Sequence, residues 1–319
     1  MKPLWLVFLL VGCASIQQET DSFVRGVTTQ HAIVTQEGER YYRQYIPKRL
    51  SSRKPLVIVL HGGTGSMKEV IEEGRATGRW PLKAKEEGFV LLVPNGTSYQ
   101  TDSPRGRNQR WNDDRVFEGE ATADDVSFLS ELVDLKVRQG LVNPDNVFVT
   151  GSSNGGMMVF RLLAERSDVF SAGASMIANL PDTATRPPTP KPVLMFFGDS
   201  DPVVPFEGGP VSFANLGSVL SQEETLLYWL RGHGLKARSG RGVLMPNRNT
   251  TDGCSMERTD WGPVSAPLVS SVIMKGGGHT LPHLFPRIKG ALGKRFVGNV
   301  CADVEVVDEI WTFFSAHLD

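Results

Sequence analysis

The uninterrupted apolar runs Leu56-Val57-Ile58-Val59-Leu60 and Phe89-Val90-Leu91-Leu92-Val93 constrain this chain more than any other feature. A strand with one face in water alternates apolar and polar residues, whereas a strand apolar throughout needs cover on both faces. Helical patterns between the runs supply that cover. Val126, Leu129, Val133 and Val137 fall at helical spacing behind the capping candidates Asp124 and Asp125, and Gly140 ends that helix. Further helices are predicted from Gly155 to about Glu165, from Ser221 to Arg231 with Ser221 and Glu224 spaced as a capping box, and from about Asp303 to His317. A strand is expected near Ala172–Met176, and His31–Val34 with Tyr41–Ile46 reads as an entry hairpin around Glu37-Gly38. Strands alternating with helices predict an α/β fold: a mostly parallel central sheet with helices on both faces. The chain shows no internal repeat or low-complexity linker, so residues 28–319 are expected to form a single domain.

Three predicted strands lead straight into reactive side chains. Val147–Thr150 runs into Gly151-Ser152-Ser153-Asn154-Gly155, Pro192–Phe197 into Gly198-Asp199-Ser200-Asp201, and Val269–Met274 into Gly276-Gly277-Gly278-His279. The order serine, acid, histidine is that of an α/β-hydrolase, not of the chymotrypsin or subtilisin types. G-x-S-x-G alone is a weak signal; its position between an apolar strand and a helix gives it meaning. A tight strand-to-helix turn strains the nucleophile, and glycines on both sides remove the clashes. Ser153 has that spacing and Ser152 lacks it. Ser153 would also sit at a helix N-terminus, where free N–H groups favour negative charge.

A serine hydroxyl needs a base. Among six histidines, His279 lies on a glycine-rich loop after a strand and is the candidate. His283, four residues on, has a metal-like spacing, but Pro282 argues against a metal-binding helix, and no metal or cofactor is implied. The imidazole in turn needs a carboxylate. Asp201 is the candidate; Asp199 follows the same strand, and a turn-capping role suits it better. Oxyanion donors are expected from the N–H of Asn154 and from Gly63 or Thr64 in the loop His61-Gly62-Gly63-Thr64. The polar segment Asn247–Gly262 reads as an excursion on the catalytic side, and Pro181–Pro192 as a surface loop.

Together, Leu60-His61-Gly62-Gly63, Arg110-Trp111-Asn112-Asp113, Gly151–Met158, Asp201-Pro202-Val203-Val204-Pro205 and Gly277-Gly278-His279-Thr280 resemble the poly(3-hydroxybutyrate) depolymerase and feruloyl esterase-like family, related to carbohydrate esterase family 1. The resemblance runs from about residue 30 to the C-terminus. It implies a secreted carboxylic-ester hydrolase of the α/β-hydrolase superfamily without a cofactor. By position it makes Ser153, Asp201 and His279 the triad, and places Trp111 and Asn112 near the substrate cleft; His61, which opens the His-Gly-Gly loop after the third strand, is expected to help shape the oxyanion loop and to join them in binding substrate. The chain departs from the family at Leu281, where tryptophan is frequent. Feruloyl or acetyl sugar esters and hydroxyalkanoate oligomers are the implied substrates. A non-catalytic surface binding protein on a hydrolase scaffold, or an acyltransferase, are the rival readings.

The N-terminus bears on location. Lys2, the apolar run Leu4–Val11 and Gly12 have the layout of a secretory signal too short to span a membrane. Leu10-Val11-Gly12-Cys13 resembles a bacterial lipobox, which would make residues 1–12 the signal, Cys13 the lipidated residue, and 13–27 a tether. The alternative is a plain signal peptide with an incidental cysteine. Export, to the periplasm, cell surface or medium, would put Cys254 and Cys301 in an oxidising compartment, where they form a bridge or remain two buried thiols. A net charge of −1 gives no basic footprint for nucleic acid.

Overall fold

The computed structural model describes residues 28–48, 52–98, 108–117, 120–211, 216–286 and 295–319. Cys13 and the segments expected to be a signal (1–12) and a tether (13–27) lie outside them. The chain enters through an antiparallel hairpin, β1 (Thr29–Thr35) and β2 (Gly38–Tyr45). Then come β3 (Lys54–Leu60), the short α1 (Met67–Val70), α2 (Trp80–Glu87) and β4 (Val90–Pro94). Next are α3 (Asp125–Arg138), β5 (Val142–Ser152), α4 (Asn154–Glu165), β6 (Ala172–Met176) and β7 (Val193–Gly198). The last third holds α5 (Gln222–Gly232), β8 (Arg241–Val243), β9 (Ser255–Trp261), β10 (Val269–Lys275) and α6 (Val306–Ser315). The strands form one ten-stranded sheet in the order β1-β2-β4-β3-β5-β6-β7-β10-β9-β8. From β4 through β10 neighbouring strands are parallel; the two at each margin are antiparallel.

The apolar runs explain the layering. In β3, Val57 and Val59 point to one face, where they join Phe89, Phe148, Trp311 and Phe314. Leu56, Ile58 and Leu60 point to the other, against Phe128, Leu129, Met158 and Trp229. Period-two alternation thus serves two cores, and every second residue of a continuous run is needed by each. The first face is closed by α6, whose Phe314 stacks on Phe148 at 4.8 Å and whose Trp311 stacks on Phe89 at 4.5 Å.

Local signals set the helix ends. Asp124 caps α3 by accepting the Ser127 N–H at 3.0 Å, and both halves of the Ser221–Glu224 capping box are present on α5. α6 starts at Val306, three residues later than expected. The reason is that Asp303 accepts the N–H groups of Arg248 and Asn249 at 2.6 and 3.0 Å, and so belongs to the preceding loop.

The segment 247–262 needs correction. Rather than a wholly irregular excursion, it yields β9, which pairs with β10 along its whole length from Ser255 to Trp261. Its polar side chains hid it. Arg258 is answered by Asp260 at 2.8 Å and Glu309 at 3.5 Å, so the strand carries charge without alternating cleanly. β8, the margin strand beside it, gave no sequence signal either.

Because Phe314 is fully buried against the central strand, Phe314→Ala is expected to destabilise the fold by about 3–5 kcal/mol. Urea unfolding followed by tryptophan fluorescence checks this; a loss under 1 kcal/mol, roughly that of a surface change, would contradict the assigned core.

Candidate active site

Ser153 sits between β5 and α4 with φ 55° and ψ −124°, a left-handed conformation that L-residues rarely adopt. Such a residue costs on the order of 1–3 kcal/mol unless its surroundings hold it. Here they do. The Ser153 N–H donates to the Met176 carbonyl at the end of β6, at 2.9 Å. Gly155 lies so close to β3 that a Cβ there would come within 2.4 Å of the His61 carbonyl oxygen and 2.8 Å of that of Leu60. Any larger residue would push α4 off the sheet.

The other two predicted side chains meet at this turn. His279 Nδ1 lies 2.7 Å from Asp201 Oδ2, and its Nε2 lies 3.0 Å from Ser153 Oγ. The carboxylate can only accept, so the imidazole donates from Nδ1 and presents the Nε2 lone pair to the hydroxyl. The Asp201 side chain is 2% exposed, and its second oxygen accepts the N–H groups of Val203 and Val204 at 2.7 and 2.9 Å. Asp199 turns away, accepting the Gly276 N–H at 2.7 Å. The His279 loop is set tightly: a Cβ at Gly278 would come within 2.0 Å of the Val297 carbonyl oxygen. Beneath it, the structure joins Cys254 to Cys301 by a disulfide, with Cα atoms 5.1 Å apart.

Ser153 and His279 open onto a cleft of about 720 Å³ whose walls include His61, Gly62, Gly63, Thr64, Leu281 and His283. Among the described residues, the N–H groups of Gly63, Thr64 and Asn154 have no hydrogen-bond partner. A Cβ on Gly63 would lie 3.5 Å from that of Asn154, which puts this loop directly beside the start of α4. One rim carries Glu69, Glu72 and Glu73, with Arg75 bonded to Glu72 at 2.7 Å. No group of three or more His, Cys, Asp or Glu side chains is placed to hold a metal among the described residues.

Trp111 and Asn112 require correction. Trp111 is 1% exposed and donates its indole N–H to the His61 carbonyl at 2.9 Å. Asn112 donates to the Ala123 carbonyl at 3.0 Å and accepts from Arg161 at 2.7 Å. Neither lines the cleft. Their segment instead grips the turn: Asn154 Oδ1 accepts the Trp111 N–H at 2.8 Å, and its Nδ2 donates to Trp111 O at 2.9 Å and Asp113 Oδ2 at 2.7 Å. Arg115 neutralises Asp113 at 2.8 Å. Sequence reading missed this clamp, although an amide directly after the serine and an Asp-x-Arg pair were there to suggest it.

His61 is 2% exposed where it lines the cleft, and it braces the loop that follows it. The Gly96 N–H donates to its Nε2 at 3.0 Å, so its proton lies on Nδ1, which donates to the Gly62 carbonyl at 2.7 Å. Its ring is 4.9 Å from that of Trp111. Burial lowers its pKa to about 4, with the bond to Gly62 opposing and the Arg40 charge adding to the shift.

Residues 44–237, more than half of the 319-residue chain, match the phospholipase/carboxylesterase family. The chain belongs to that family. This carboxylesterase-family hydrolase is 31% identical over 271 residues to the esterase-like NocK protein of Nocardia uniformis subsp. tsuyamanensis, covering 80% of this chain and 74% of NocK. It is 27% identical over 184 residues to feruloyl esterase C of Emericella nidulans, covering 57% of this chain and 62% of that one, a little under two thirds of the relative's length. The fold is shared with an acetyl xylan esterase from Aspergillus awamori: TM-score 0.58 at 16% identity, over 90% of this chain and 99% of the other. An S-formylglutathione hydrolase from Agrobacterium tumefaciens also shares it, with TM-score 0.53 at 14% identity over 93% and 98%. The carboxylesterase fold, an α/β-hydrolase, is therefore plain.

A neutral buried His61 gives a pH dependence of known sign. The unfolded chain takes up a proton near the ordinary pKa of 6.5 that the folded chain refuses until about 4. Stability should therefore fall as pH drops through that window, by on the order of 3 kcal/mol in total from this residue. His31, His233 and His317, also lowered by burial, add to the slope. Chemical denaturation at pH 7 and pH 4.5 should show a smaller difference in His61→Gln than in the wild type; equal differences would contradict the assignment.

Proposed function

We propose that this esterase works through an acyl-enzyme formed on Ser153. His279 takes the hydroxyl proton as Ser153 Oγ attacks the ester carbonyl, then returns it to the departing alcohol. Asp201 holds the imidazole in the tautomer this requires and stabilises its charged form. The developing oxyanion is held by the Asn154 N–H and by Gly63 or Thr64, each donor contributing about 3–4 kcal/mol to the transition state. Water, activated by the same histidine, releases the acid. The observation that carries this reading is His279 spanning Ser153 Oγ at 3.0 Å and Asp201 at 2.7 Å, on a strained turn open to a cleft.

The substrate class we infer is a feruloyl or acetyl ester of a sugar. The names of the relatives, feruloyl esterase C and acetyl xylan esterase, support it. Leu281 in the cleft wall leaves a narrower apolar surface than an indole would, which favours small acyl groups or one aromatic ring. Hydroxyalkanoate oligomers rest on the sequence resemblance alone. Ser153→Ala should lower kcat by roughly 10⁴–10⁶ on p-nitrophenyl esters with an unchanged unfolding curve. Near-normal turnover, or failure of the wild type to label with a fluorophosphonate, would reject the mechanism and favour a binding protein.

We further propose that the enzyme is exported and held to a membrane by lipid on Cys13. Among the described residues no helix is long and apolar enough to cross a membrane. On this reading the tether is a set of acyl chains on Cys13, of which more than one is needed for firm attachment. In a bacterial host, Cys13→Ser should abolish incorporation of labelled fatty acid and move the protein to the soluble fraction. Unchanged labelling would remove the anchor.

A further inference from the structure

Within the same cleft lies a second histidine–carboxylate pair that the proposed mechanism does not use. His283 lines the cleft together with Ser153 and His279, yet is only 9% exposed. Its Nδ1 is 2.6 Å from Oε2 of Glu305, itself 7% exposed. Glu305 stands at the N-cap of α6, where a carboxylate ordinarily accepts helix N–H groups, but its side chain makes no capping bond. It is committed to the imidazole instead. The main chain around His283 is fixed as well. Its N–H donates to the Cys301 carbonyl at 3.2 Å, and the Pro282 carbonyl accepts the Val306 N–H at 3.4 Å. Ring and backbone are therefore both held in place.

The remaining ring nitrogen has no such commitment. Among the described residues, His283 Nε2 has no hydrogen-bond partner, and it is not one of the buried polar atoms sealed from solvent. Since the carboxylate accepts from Nδ1–H, the neutral ring leaves Nε2 as a bare acceptor at the cleft wall. An acceptor in a half-closed pocket selects a donor. The reacting ester group has only acceptor oxygens, so the donor must come from elsewhere on the substrate. We infer that His283, oriented by Glu305, is a specificity-determining residue that accepts a hydrogen bond from a free hydroxyl of the ester substrate. This rests on the esterase reading of Ser153 and narrows it to hydroxyl-bearing esters. That hydroxyl belongs either to a phenolic acyl group or to the sugar alcohol. A site built to bond a hydroxyl discriminates strongly against the ligand that lacks it, because its polar group is left unpaired.

The test compares kcat/KM within two substrate pairs, each with and without the donor. Methyl ferulate against methyl 3,4-dimethoxycinnamate probes the acyl side; a mono-acetylated methyl xyloside against its O-methylated counterpart probes the alcohol side. The wild type is expected to prefer the hydroxyl member of one pair by roughly tenfold or more, and His283→Phe to bring that ratio to within about threefold of unity. Glu305→Gln, nearly isosteric, should also shrink the ratio, because its amide is able to donate to Nδ1 and turn Nε2 into a donor. It serves as the readout if the first variant does not fold. A merely structural clamp would lower both members of a pair alike. A wild type without preference in either pair, or ratios unchanged in the folded variants, overturns the role of His283. Absence of wild-type turnover on p-nitrophenyl acetate would instead remove the esterase reading beneath it.

Discussion

The left-handed backbone at Ser153 is the constraint around which the rest of the molecule is arranged. With φ 55° and ψ −124° it points the hydroxyl out of the sheet, a conformation that an isolated chain would abandon. Three neighbours oppose that relaxation. The Met176 carbonyl holds its N–H, the close approach of Gly155 to β3 holds the helix down, and the Asn154 amide is bonded on both sides to the Trp111–Asp113 segment. Each ties the turn to a different part of the chain, so the turn exists only when the sheet does.

The buried charges around the site serve geometry. Asp113 with Arg115 and Arg40 with Asp125 lie 2.8 and 2.5 Å apart, with almost no exposure. Such pairs contribute little net stability, since desolvation offsets attraction. They do fix direction. Asp113 accepts from Asn154, and Asp125 accepts the Asn112 N–H at 2.7 Å, so both carboxylates steady the loop that clamps α4. On the opposite side, the Cys254–Cys301 bridge and the packing of Gly278 on Val297 hold the His279 loop. Serine and imidazole thus sit on separately braced supports. That suits a reaction in which a displacement of about 1 Å is expensive.

Strand and helix positions were legible where local patterns are strong. The runs at 56–60 and 89–93, the Ser221–Glu224 box and the Asp124 cap depend on neighbours within a few residues, and physics at that range is written in order along the chain. β9 was not legible, because its Arg258 is answered both within the strand by Asp260 and across the fold by Glu309, a partner no local window reveals. The roles of Trp111 and Asn112 failed for a related reason. An aromatic or polar residue in a loop can face solvent, ligand or core, and only packing chooses among them.

What the sequence alone determined is that Ser153, Asp201 and His279 each follow an apolar strand. Parallel strands all end at one edge of a sheet, so the three share a side of the molecule by topology. Whether they touch was decided by the tertiary structure, through the strand order β5-β6-β7-β10 and the loop packing that brings the imidazole within 3.0 Å of the hydroxyl. Hydrogen bonds require tenths of an ångström. Residue order specifies which groups are available, but distances that fine arise only from close packing of segments far apart in the chain.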